Sequence, residues 1–130
     1  SSGTKQWTKQ LGSARSDWAY GVATDSSGNV YVAGYTAGGL DGSNAGANDL
    51  FVVKYSSSGT KQWTKQLGTS STDTANGVAT DSSGNVYVAG GTYGGLDGNS
   101  GSGGNDFFVV KYNSSGTKQW TKQLGSSSPD

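Results

Sequence analysis

Residues 21–34 read GVATDSSGNVYVAG, and residues 77–90 read the same string again. An internal copy of this length marks a tandem repeat of one supersecondary unit. Around it the copying continues: NDLFVVKY at 48–55 returns as NDFFVVKY at 105–112. The one-residue slip between these two matches falls in the glycine-rich stretch between Leu96 and Asn105. SGTKQWTKQLG occurs three times, at 2–12, 58–68 and 115–125. The chain is two full repeats with a third copy of one segment.

Each repeat reads as four short strands. The first is GVATD at 21–25, followed by the polar turn SSGN, whose Gly28 and Asn29 suit positive φ. The second is VYVAGYT at 30–36, dense in β-branched and aromatic residues. The third, DLFVVKY at 49–55, puts Leu50 and Val52 on one face and Phe51 and Val53 on the other. The fourth, TKQWTKQLG at 60–68, sets Lys61, Trp63, Lys65 and Leu67 against Gln62, Thr64 and Gln66. No stretch carries a helical period of apolar residues. The class is all-β.

Strands two and three are apolar on both faces, so each sheet needs cover on both sides. Strand four is polar and lysine-rich, which suits a solvated rim and discourages edge-to-edge pairing. A four-stranded antiparallel unit running from buried to wet fits a β-propeller blade stacked between neighbours. An open β-solenoid-like stack is the alternative with the same period. The layout expected is an extra outer strand and linker at 1–17, a first blade at 18–67, and a second at 68–130 ending in its own outer strand and linker.

Composition removes several functions. The 130 residues hold nine basic and nine acidic groups, so the electrostatic footprint of a nucleic-acid binder is missing. No apolar run approaches the length of a membrane-spanning helix. There is no His, Cys or Met, and every acid is Asp. Zinc sites, cysteine nucleophiles, Ser-His-Asp triads and disulfides are therefore impossible within the chain. Only 31% is apolar, yet 11% is aromatic, which is the balance of a polar but foldable chain.

DSSGNVYVAGYT, followed by GGLDGSNAGANDLFVVKYSSSGTKQWTKQLG, resembles the bacterial SBBP repeat, and DSSGNVYVA is also similar to the NHL class of propeller repeat. The resemblance implies a propeller blade, usually of exported or surface proteins of bacteria. It implies no single activity, because one fold hosts unrelated functions. Two blades are fewer than the four to eight or so that close a ring.

The Asp-rich loops carry the clearest chemistry. Asp41, Asn44, Asn48 and Asp49 in the first repeat, and Asp97, Asn99, Asn105 and Asp106 in the second, are hard oxygen donors of the kind Ca²⁺ takes. The competing reading, and the preferred one, is that these residues close turns through side-chain to backbone bonds. Asp25 and Asp81 read as hairpin-closing residues rather than carboxylates at a pore mouth. Asp17, Asp73 and Asp130 recur between an outer strand and the next inner one, a structural place. Trp7, Trp63 and Trp120 suit packing between blades better than a sugar-stacking rim. Trp18 and Tyr20 are replaced by Thr74 and Asn76 in the second repeat, so this pair is the candidate ligand contact. A carboxylate pair such as Asp41 with Asp49 could suggest glycoside hydrolysis, but its duplication argues against one active site. Asn113-Ser-Ser fits a glycosylation pattern of low specificity.

The expected function is a non-catalytic structural or adhesive module of a bacterial surface or extracellular protein. It would self-assemble by blade stacking and strand addition into a ring or filament. The partner is then a second copy, or neighbouring blades if the chain is an excerpt, as its lack of a start Met suggests. A carbohydrate-binding, lectin-like propeller is the alternative, and a fragment of a propeller enzyme a third. No cofactor is expected, with Ca²⁺ at the Asp-rich loops the one candidate.

Overall fold

The computed structural model describes residues 2–40, 46–96 and 104–125. Eight strands follow in order: β1 (Asp17–Thr24), β2 (Val30–Thr36), β3 (Asp49–Tyr55), β4 (Lys61–Leu67), β5 (Asp73–Thr80), β6 (Val86–Thr92), β7 (Asp106–Tyr112) and β8 (Lys118–Leu124). They form two four-stranded antiparallel meanders, β1-β2-β3-β4 and β5-β6-β7-β8. The described residues hold no α-helix. The all-β reading and the two-blade unit stand.

β2 and β3 have the bounds expected from sequence, and β4 differs by its ends alone. The first strand differs more. It begins at Asp17 rather than Gly21. Ala19 pairs with Gly34 and Gly21 with Ala33, which leaves Tyr20 as an extra, bulged residue. That bulge breaks the two-residue alternation by which a strand is read, and Asn76 repeats it in β5. Trp18 and Tyr20 thus stand on a strand and not in a linker.

The two sheets stack face to face. Tyr31, Ala33, Leu50 and Val52 of the first meet Ala75, Val86, Val88, Phe108, Val110 and Tyr112 of the second in one buried core. Phe51, Val53 and Tyr55 point the other way into a smaller cluster with Trp7, Leu11 and Leu40. β3 is therefore buried on both faces, as its sequence requires. The middle strands are the driest, whereas β1 is largely exposed for want of a sheet on its outer face.

The sheets converge on the β1 and β5 side, where β5 lies against β1, β2 and β3. A Cβ on Gly21 would stand 3.3 Å from the Gly77 Cα. On the far side β4 is held off the second sheet by Trp63, which sits over Tyr112. The contact is a wedge, narrow at the inner strands and wide at the outer ones.

Of the extra outer strand and linker expected at 1–17, residues 2–16 hold no strand and Asp17 opens β1. Residues 2–12 make no strand ladder, and they cross the outer face of the first sheet through Trp7 and Leu11. β4 and β8 fill the fourth place in their sheets, and residues 2–12 instead lie across the outer face of the first.

Candidate functional site

Asp25 closes the β1–β2 hairpin with all its lone pairs. Oδ1 accepts the N–H groups of Ser27 and Asn29 at 3.0 Å each, while Oδ2 accepts Asn29 Nδ2 at 3.0 Å and the Tyr31 hydroxyl at 2.7 Å. Asp81 makes the same four bonds with Ser83, Asn85 and Tyr87. Burial works against the Asp25 charge, but these donors win and hold its carboxyl at about 2. The Asn85 side chain leads the same effect at Asp81, also at about 2. These are turn-closing residues.

Asp17 and Asp73 tie the inter-blade linkers. Asp73 accepts the Thr69 N–H at 2.6 Å and the Thr92 hydroxyl at 2.5 Å; Asp17 takes the Ser13 N–H at 2.8 Å and the Thr36 hydroxyl. Asp73 is fully buried, and that burial pushes its carboxyl up despite the donors. Asp17 is less enclosed, so Thr36 and Ser13 overcome the burial penalty and its carboxyl is lowered.

Of the Asp-rich loops, Asp41, Asn44, Asp97 and Asn99 lie outside the described residues, as does Asp130. Asp49 and Asp106 are buried inside the sheets rather than on the loops. Asp49 Oδ2 accepts Gln66 Nε2 at 3.0 Å, and Asp106 Oδ2 accepts Gln123 Nε2 at 3.0 Å. The Asn48 carbonyl accepts the Asp73 N–H at 2.8 Å, and the Asn105 amide lies beside Gly91. Among the described residues no three acids gather around one point. Gln66 and Gln123 escaped the sequence reading. Each clamps the loop after the second strand, Gln66 holding the Leu40 N–H at 2.8 Å and the Gly38 carbonyl at 2.9 Å. Their signal was position: the same Gln precedes Leu-Gly in all three copies of TKQLG.

Trp18 and Tyr20 do come together, and with a third ring that sequence reading missed. Tyr35 stands between them, 6.4 Å from Trp18 and 5.6 Å from Tyr20, with planes within 29°. A hydrogen bond with Tyr20 pushes the Tyr35 hydroxyl up. Trp18 is 53% and Tyr20 55% exposed. In the second repeat the three places hold Thr74, Asn76 and Gly91, so the cluster is present or absent as a unit. The identical strings end at Gly34 and Gly90, one residue short of the Tyr35–Gly91 difference.

Trp63 and Trp7 pack between layers, whereas Trp120 is 39% exposed on the open face of the second sheet. Trp63 Nε1 donates to the Ser114 carbonyl at 3.1 Å, with its ring 6.2 Å from Tyr112. Trp7 repeats this on the first sheet, donating to the Ser57 carbonyl at 3.0 Å with its ring 6.1 Å from Tyr55. Gly59 and Gly116 permit both contacts: each has φ 89°, and a Cβ would meet the indole at about 3 Å. Residues 2–12 lie on the first blade as β4 lies on the second.

A family model described as a beta-propeller repeat matches residues 6–41 and 62–97. The chain belongs to the SBBP repeat family. No curated protein matches it. Each SBBP match opens in a TKQWTKQLG segment and runs through the linker and the first two strands of the following sheet. The SBBP unit is thus out of phase with the blade: it joins one blade's outer strand to the next blade's inner pair. Residues 6–12 satisfy that frame by lying on the first sheet where a preceding blade's outer strand belongs.

Proposed function

We propose that this chain is a non-catalytic structural or adhesive repeat module of a bacterial surface or extracellular protein, assembling with further copies of itself by head-to-tail stacking of blade faces. One observation carries the reading. The outer face of the second blade repeats the face of the first blade that is buried between the sheets. Leu50 is fully buried there, whereas its counterpart Phe107 is 51% exposed. Leu67 packs against the core, whereas Leu124 is 63% exposed, and Trp120 in the place of Trp63 is 39% exposed. Burying large apolar side chains of this kind contributes on the order of 1.5–3 kcal/mol each. A heterologous contact between unlike faces of two copies closes into a ring or extends as a filament. Placement outside the cell is supported by the family resemblance. The absence of His, Cys and Glu from the sequence supports a non-catalytic role. Sedimentation velocity over a wide concentration range tests the stacking. Association that grows with concentration and is lost in Phe107→Glu supports it, and a monomer at every concentration refutes it.

A second reading, carbohydrate binding, is favoured by the Trp18–Tyr35–Tyr20 cluster. Exposed, nearly parallel rings offer apolar faces with polar tips, the chemistry that stacks on a sugar ring. Its presence in one repeat and replacement by Thr74, Asn76 and Gly91 in the other suits a contact rather than a fold requirement. A glycan array on wild type and on Tyr35→Gly, the residue of the second repeat, decides it. Binding lost in the variant supports the reading, and an empty array ends it.

A further inference from the structure

We propose that residues 2–12 compete with β8 of a second copy for one seat on the first blade, making the N-terminal segment a built-in cap on head-to-tail stacking. The inference rests on the stacking reading and adds a regulated step to it. The seat is defined by the contact that β4 makes within the chain. Trp63 crosses to the Ser114 carbonyl and the Tyr112 ring of the next blade. β8 carries the same KQWTKQL sequence, so stacking on another copy would send Trp120 to the Ser57 carbonyl and the Tyr55 ring. Trp7 already holds both groups, at 3.0 Å and 6.1 Å. One carbonyl lying under one glycine cannot receive two indoles, because the Gly59 backbone fits a single ring against it.

The cap covers the seat only in part. Between residues 2–12 and the first sheet lies a cleft of about 250 Å³, lined by Leu11, Val32, Leu40, Phe51 and Val53 among others. The equivalents of three of these on the second blade, Val88, Phe108 and Val110, are closed over by the opposing sheet and belong to the main core. A lone segment supplies an outer strand's side chains but not the rest of a blade face. An incoming second blade supplies both, bringing Phe107 and Val109 with Trp120. Displacement is therefore an exchange of a smaller contact for a larger one made of the same residues, and its midpoint depends on protein concentration.

Single substitutions separate the two contestants. Trp7→Ala weakens the cap alone, and Trp120→Ala weakens the incoming face alone. In sedimentation velocity, Trp7→Ala is expected to associate at roughly tenfold lower concentration than wild type, the factor that about 1.4 kcal/mol of lost capping contact produces. Trp120→Ala is expected to lose association, and the double variant to behave as Trp120→Ala. In wild type, trypsin cleavage after Lys9 should also quicken as concentration rises, since stacking lifts the segment off its seat. Association of Trp7→Ala that equals or falls below wild type, while Trp120→Ala still loses it, overturns the cap and leaves stacking intact. If wild type and Trp7→Ala both remain monomeric, stacking itself fails and the cap with it.

Discussion

Trp63 stands over Tyr112 with ring centroids 6.2 Å apart and planes inclined by 37°. This pair joins the outer strand of one blade to the third strand of the next, and the Ser114 carbonyl that receives the indole also receives the Lys54 ammonium at 2.9 Å. Truncation here removes packing and a hydrogen bond together and leaves a void between the sheets. Trp63→Ala should lower unfolding stability by about 2–3 kcal/mol, less than the 3–5 kcal/mol or so of a fully enclosed aromatic. Trp120→Ala, on the open face, should cost under about 1 kcal/mol in dilute protein. Urea denaturation of both variants at low concentration compares them, and equal losses would contradict the assigned interface.

Acid should act on this fold through two opposed sets of aspartates. The Asp25 and Asp81 carboxyls are lowered from 3.8 to about 2 by their hairpin donors. Their stabilisation is complete above about pH 4 and is lost as pH falls through 2. Asp73 is raised by burial, so it has the reverse sign: stability declines as pH rises from 3.8 through its folded value. Melting temperatures from pH 7 to pH 1.5 should therefore hold or rise slightly at first, then drop steeply below pH 3. Asp25→Asn should flatten the drop, and a variant that melts with an unchanged acid limb would show that the hairpin carboxylate is not its source.

Gly68 touches the Asp49 carboxylate, and Gly125 touches that of Asp106 in the same way. A methyl at either place has to push a buried aspartate off its glutamine partner. Gly68→Ala should cost about 1–3 kcal/mol, as overpacking a close contact does. Gly12→Ala should cost much less, because there the nearest atom is Asp17 Oδ2 at an approachable 3.3 Å. Thermal melts of the two variants test this ordering, and an indifferent Gly68→Ala would refute it.

Calcium should leave the melting temperature unchanged. Asp49 and Asp106 are buried in the sheets, each with its Oδ2 held by a glutamine amide, Gln66 or Gln123. Differential scanning with millimolar calcium and then with chelator measures it. A rise that tracks calcium concentration would place a site on the loops after all, since binding to the folded state alone raises stability by mass action.

The fold was legible because repetition supplied what one strand pattern cannot. Two copies of GVATDSSGNVYVAG fixed the unit, and the doubly apolar DLFVVKY fixed its burial on both faces. What escaped lay where backbone irregularity or three-dimensional convergence decides. The bulge at Tyr20 hid the first half of β1, since alternation slips by one there. Tyr35 is seventeen positions from Trp18 and fifteen from Tyr20, and only the register of β1 on β2 brings the three rings together. The place of residues 2–12 was hidden for another reason. Their sequence is that of a strand, but β4 and β8 each follow a third strand through a short turn, and residues 2–12 have no such hairpin partner before them among the described residues.

Gly21 and Trp63 mark the two sides of the contact between the sheets, one as thin as a backbone and the other as thick as an indole laid on a phenol ring. The difference between those two spacers is an angle. In the stacked assembly proposed above each added blade would turn by a like step, so residue size at these two positions would contribute to the number of blades in a circuit. A bulkier side chain in place of Gly21 would prop the thin side open, shrink the step and lengthen the circuit. Trimming the indole would do the opposite. In such a stack, curvature would follow from the contrast between two thicknesses.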